Sequence, residues 1–277
     1  MVFKYSMNVQ KYNNSIGFKS GLTYNLVKEI RSIDIAKTQR DFATMGVDAD
    51  FRSCKTICAN FVMAANTLSD IAGRYKLPFN FVPPAIRVFK PEELEDESYN
   101  AIGFCNIDTK KILKDEFPFI GTSVFININN NNMLKNELNA IWEKTVMNWR
   151  SSSHFLYTTL HELFHCIHEN LILTKMGYEG ECPVLKAKYG RKNANGLSYM
   201  ETKSNLPDVP DSDILTEQIG RYAANSFSLM EIFSELMTKI TVEALDKKVN
   251  VVKNPMDNLP KKLPDFYKKE IEEILNI

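Results

Sequence analysis

The segment His161-Glu162-Leu163-Phe164-His165 sets two imidazoles four positions apart, with a carboxylate beside the first. On a helix, positions i and i+4 lie one above the other, so both rings reach one ion from the same side. Neutral imidazole is a common zinc ligand. The intervening Glu162 stands where it can take a proton from a water activated by the metal. The neighbours Leu160, Leu163, Phe164 and Ile167 are apolar, so the helix is expected to be buried. Buried His and Glu side chains without partners are costly, and a metal ion offsets that cost. The chemistry these residues suit is hydrolysis assisted by Zn2+, with His161 and His165 as ligands and Glu162 as general base.

A catalytic zinc takes three protein ligands and keeps one position open, so a third donor is required. His168 lies three residues after His165 on the same helix, too rigidly placed to converge with His161, and is expected to be exposed or to sit behind the ligands. The acidic segment with Glu201, Asp208, Asp211 and Asp213 is a second source. The strongest is Glu231-Ile232-Phe233-Ser234-Glu235, two carboxylates one turn apart on an otherwise apolar helix. Glu231 is expected to bind the metal. Glu235 is expected to accept a hydrogen bond from the far nitrogen of a ligand histidine, which fixes its tautomer and orientation.

HExxH followed by a helix reading Glu-x-x-x-Glu resembles the gluzincin branch of the zincin metallopeptidases. The local text resembles the catalytic domains of anthrax-lethal-factor-like toxins and related phage-borne peptidases. The resemblance covers about residues 154–240, and the gap between its motifs is long. It implies a zinc metalloendopeptidase in which Tyr222 steadies the oxyanion. It also implies a sheet whose edge strand pairs with an extended peptide or protein substrate, and Thr122 to Ile128 is the candidate strand. The alternative is a catalytically silent zincin-fold module, binding or structural, for instance in a phage particle.

The rest of the chain must position these groups. With 277 residues there is enough chain for a substantial core. Apolar residues make up 44% and charged residues 25%, and 34 basic side chains balance 34 acidic ones. That balance gives no reason to expect nucleic acid or a membrane as partner. No apolar run reaches the roughly 18 residues of a membrane span. The start lacks the apolar core of a secretory signal, so the expected location is cytoplasmic, or outside the cell by a signal-free route. Five scattered cysteines suggest reduced thiols, and Cys54 and Cys58 read as one turn of a helix.

Residues 1–47 read as an extension packed on a main domain, 48–277. Apolar spacing of three and four predicts a long helix over Asp48–Tyr75. Strands are expected at Ala85–Phe89, Ala101–Ile107, Lys110–Leu113 and Thr122–Ile128, the middle two as a hairpin. Helices are expected over Met133–Asn148, over His154–Thr174 with a serine cap and a stop at Gly177, from Ile214 or Arg221 to Leu245, and over Phe266–Leu275. Residues 178–213 read as a long irregular loop. Grouped strands argue for α+β, a small, twisted, mostly antiparallel sheet packed on helices, in a zincin-like arrangement.

Overall fold

The computed structural model describes residues 30–75, 83–94, 101–108, 120–131, 133–190, 194–246 and 258–275. The Lys110–Leu113 strand and residues 1–29 of the N-terminal segment lie outside them. In chain order the elements are α1 (Ile35–Thr44), β1 (Asp48–Asp50), α2 (Lys55–Tyr75), β2 (Ala85–Phe89), β3 (Gly103–Asp108) and β4 (Ile120–Asn127). Then follow α3 (Met133–Thr145), α4 (Tyr157–Met176), α5 (Pro183–Tyr189), α6 (Gly196–Ser204), α7 (Ser212–Ile219), α8 (Arg221–Ala224), α9 (Leu229–Asp246) and α10 (Asp265–Leu275). The class is α+β.

The sheet is mixed, in the order β1-β2-β4-β3. β1 and β2 run parallel, as do β2 and β4, and only β3 is antiparallel to β4. The expectation of a mostly antiparallel sheet is therefore corrected. β1 occupies the start of the stretch expected as one long helix, and α2 returns the chain to β2 as a parallel crossover. β3 does not insert between β2 and β4 but adds outside β4. Among the described residues, Gly103–Asp108 and β1 are thus the edges of the sheet, and Thr122–Ile128 is interior rather than the edge it was expected to be. Burial agrees: Thr122, Ser123, Val124, Phe125 and Ile126 are at most 2% exposed, as a strand flanked on both sides requires.

Alternation along the strands divides two apolar clusters. Ile86, Val88, Val124 and Ile126 join the main core with α2, α4 and α9. Phe89, Phe104 and Phe125 turn to the other face with Leu94, the Phe104 and Phe125 rings stacked at 4.7 Å. α1 starts at Asp34, whose carboxylate caps the Lys37 amide at 3.0 Å. Its Phe42 packs on Phe51 of the main core, ring centroids 5.9 Å apart.

Three helical expectations are revised. α4 begins at Tyr157, not His154, and no serine side chain caps it. Ser152 Oγ instead accepts the His154 amide at 3.0 Å, holding a turn ahead of the helix. Residues 178–213 contain α5, α6 and the start of α7, because Leu185, Tyr189 and Met200 bury against Ile172, Leu173, Tyr178 and Met230. The late helix is three: Gly220 (φ +94°) separates α7 from α8, and Phe227 (φ +53°) separates α8 from α9. No described helix is long and apolar enough to cross a membrane.

Candidate metal centre

α4 and α9 pack side by side in the main core, and their facing polar groups meet at one point. His161 Nε2 lies 3.1 Å from Glu231 Oε2 and 3.1 Å from His165 Nε2. His165 Nε2 lies 3.3 Å from Glu231 Oε2. Three lone-pair atoms thus form a nearly equilateral triangle. Zinc bonds of about 2.0–2.2 Å in tetrahedral array put ligand atoms roughly 3.3 Å apart, so this triangle fits one face of such a site. Two imidazole nitrogens and one carboxylate oxygen also suit zinc by donor type.

The surroundings hold these atoms in place. Ser228 Oγ accepts the Glu231 amide at 3.4 Å, capping α9 so that Glu231 falls in its first turn. Glu235 is fully buried one turn on. Its Oε2 stands 3.2 Å from His161 Nδ1, close enough for ionic contact although the pair is not aligned as a hydrogen bond. Its Oε1 accepts the Ser151 amide at 2.7 Å, and the Tyr157 hydroxyl donates to Oε2. The Arg150 guanidinium covers the Tyr157 ring at 3.6 Å.

These contacts set the charge states. Burial pushes Glu235 up, but His161, the Ser151 amide and the Tyr157 hydroxyl outweigh it and hold the carboxyl low. Burial likewise opposes the charged form of Glu231, yet both imidazoles bring it well below the usual carboxylate range. Burial lowers His161, and the adjoining Glu231 and Glu235 carboxylates reverse this, raising it to about 10. The centre is electronegative, and the carboxylates that hold protons on the rings would equally hold a divalent cation.

Glu162 is buried on the neighbouring face of α4, 7% exposed. Burial raises its carboxyl above the usual value, while His161 and His165 act against that. The edge strand β3 runs beside it: a Cβ on Gly103 would stand 3.0 Å from Glu162 Cγ and 2.8 Å from Ile126 Cδ1. The absence of a side chain at 103 lets the strand approach the carboxylate.

Tyr222 reaches the centre because the late helix is broken. The Arg221 and Tyr222 amides donate to the Asn148 and Trp149 carbonyls at 2.7 and 2.9 Å. A Cβ on Gly220 would come within 2.9 Å of the Trp149 carbonyl oxygen. This seam turns Tyr222 over the ligands, its ring 6.0 Å from that of His161. Burial raises the phenol, and Glu231 and Glu162 raise it further, so it remains a proton donor.

The rival donors stay away. Glu201, Asp208, Asp211 and Asp213 are exposed, and the metal-competent group of the described residues comprises His161, His165 and Glu231. His168 is wholly buried, contrary to the exposed position expected as one option, with its ring 4.3 Å from Phe233. Burial lowers it to about 3, so it is neutral.

Sequence reasoning missed Tyr157, the Ser151 amide and Glu169. Tyr157 and Glu169 had a signal, one turn before His161 and one turn after His165 on the same helix face. The Ser151 amide had none, since main-chain groups carry no residue type. No protein-family model, curated protein or solved structure matches the chain.

Proposed function

We propose that the chain is a zinc-dependent metalloendopeptidase of zincin-like architecture. The observation that carries the reading is the triangle of His161, His165 and Glu231 donor atoms, flanked by a buried carboxyl and a protonated phenol. His161, His165 and Glu231 would hold the ion, which would supply a Lewis acid for the scissile carbonyl and acidify the attacking water. Glu162 takes the proton from that water and passes it to the leaving amine. Its carboxyl, raised by burial, is closer in proton affinity to those partners than a solvated carboxylate is. Tyr222 donates its hydroxyl proton as a hydrogen bond to the developing oxyanion. Glu235 fixes His161 with Nε2 turned inward.

An extended peptide substrate is assigned to β3, an edge of the sheet among the described residues and next to Glu162, where main-chain groups can add a strand. All five cysteines are free thiols, which suits a reducing compartment.

The test pairs zinc analysis with a degenerate peptide library. The wild type should bind one zinc per chain and cleave peptides. Glu162→Gln should keep the zinc and lose at least about a hundredfold in rate. Stoichiometric zinc with no cleavage by wild type favours a silent binding module, and full activity in Glu162→Gln removes that carboxylate as the base.

A further inference from the structure

The chain's two tryptophans both stand at the surface, Trp142 at 53% and Trp149 at 40% exposure. They are not isolated. On α3, Leu138 (60%) and Ile141 (43%) accompany Trp142, and Val146 (68%) follows just past the helix end. Leu138, Trp142 and Val146 recur every fourth position, which is one face of the helix. Ala140, on the other side, is buried. From Leu138 onward the helix therefore turns its small residue inward and its large apolar residues outward, the opposite of an ordinary surface helix. Single exposed apolar side chains are commonplace. A helical row of them that includes one tryptophan and is followed by a second marks a binding surface.

The row leads to the metal centre. From Leu138 to the end of α3 is about 11 Å at 1.5 Å per residue. The Trp149 ring then meets Tyr222 at 5.8 Å, and Tyr222 meets His161 at 6.0 Å. Main-chain bonds from Asn148 and Trp149 to residues 221 and 222 fasten this end of the row to the site.

We propose that the outward face of α3, continued by Trp149, is a docking surface for an apolar stretch of the polypeptide substrate outside the metal centre. This rests on the peptidase reading. Continuity with the site identifies the occupant, because a chain held at the ion's ligands and leaving past Tyr222 meets Trp149, and the α3 row ends at Val146, close before Trp149 in the chain. A lipid surface fits less well. The helix carries Lys135 and Lys144 against Glu137 and Glu143, whereas helices that lie on anionic membranes present a basic polar face.

The experiment uses full-length Glu162→Gln protein loaded with zinc and two fluorescein-labelled dodecapeptide pools, one rich and one poor in Leu, Phe and Ile. Trp142→Phe leaves Trp149 as the sole tryptophan, beside the site, and it is excited selectively at wavelengths that tyrosine does not absorb. The apolar-rich pool should bind at least tenfold more tightly and shift Trp149 emission to shorter wavelength. Leu138→Asp and Val146→Asp, both at exposed positions, should abolish that preference without changing zinc content. In the catalytically intact chain they should raise KM for apolar-rich peptides and leave kcat unchanged. Equal binding of both pools, or no effect of the two aspartates, overturns the proposal even if the enzyme cleaves. Tight binding of the apolar pool by a wild type that cleaves nothing upholds the surface and fails the peptidase reading. The proposal also falls if acrylamide cannot quench the tryptophans of the free chain, if the aspartates instead dissociate a dimer, or if phosphatidylcholine–phosphatidylserine vesicles bind and peptides do not.

Discussion

Replacing Glu235 by Gln tests whether the second carboxylate of α9 sets the metal affinity through His161. The side chain is fully buried and serves three groups: the Ser151 amide at 2.7 Å, the Tyr157 hydroxyl, and His161 Nδ1 at 3.2 Å. Glutamine has the same shape but one acceptor oxygen instead of two. If that oxygen keeps the Ser151 amide, the new NH2 faces Tyr157 and His161. The tyrosine hydroxyl can rotate and accept. His161 cannot, because a ring that offers Nε2 to a metal carries its proton on Nδ1. Two donors then face each other in a buried site, at a cost of about 1–3 kcal/mol. The general effect of losing such a carboxylate behind a ligand histidine is roughly 10–100-fold in metal affinity, or about 1.4–2.7 kcal/mol. The two routes agree. Zinc affinity, measured by competition with a chromophoric chelator at fixed pH, should fall within that range. Melting of the zinc-free proteins controls for folding. Unchanged zinc affinity would refute the reasoning. A loss confined to the stability of the zinc-free chain would make Glu235 a structural anchor for Ser151 and Tyr157 only.

Other positions give independent checks. His168 is buried with no hydrogen-bond partner on either ring nitrogen among the described residues, so His168→Phe should leave zinc content unchanged and thermal stability equal or higher. Gly220→Ala forces a side chain into a positive-φ turn 2.9 Å from the Trp149 carbonyl oxygen; it should cost about 1–3 kcal/mol, seen as a lower Tm, and reduce kcat more than zinc affinity by displacing Tyr222. Burial raises Glu169 to about 7 against the opposing pull of His165 and the Cys105 thiol. The folded chain then holds a proton that the unfolded chain releases above about pH 4.5, so stability from this group is present at low pH and lost as pH rises through 7. In the zinc-free chain Glu169→Gln should match wild type below pH 4.5 and exceed it above pH 7, by at most about 3 kcal/mol; a parallel pH profile for the two would contradict this.

Local signals carried the parts of this protein that depend on neighbours in sequence. The HELFH spacing, the apolar run around it and Gly177 fixed a buried helix with both imidazoles on one side, because helix geometry relates i to i+4 whatever the fold. The pair Glu231 and Glu235 was legible for the same reason: two carboxylates one turn apart on an apolar helix need partners. Sheet order was not legible. Val124 and Ile126 read alike in an edge or a central strand, and only the placement of β3 outside β4 decides which edge meets Glu162. Nor did the text reveal that α7, α8 and α9 are separate, since Gly220 and Phe227 break the helix through dihedral angles that depend on the seam with Asn148 and Trp149. That long-range seam, formed between segments some seventy residues apart, brings Tyr222 back over His161. Tertiary structure alone could decide it, because its hydrogen bonds are between main-chain groups that every residue possesses.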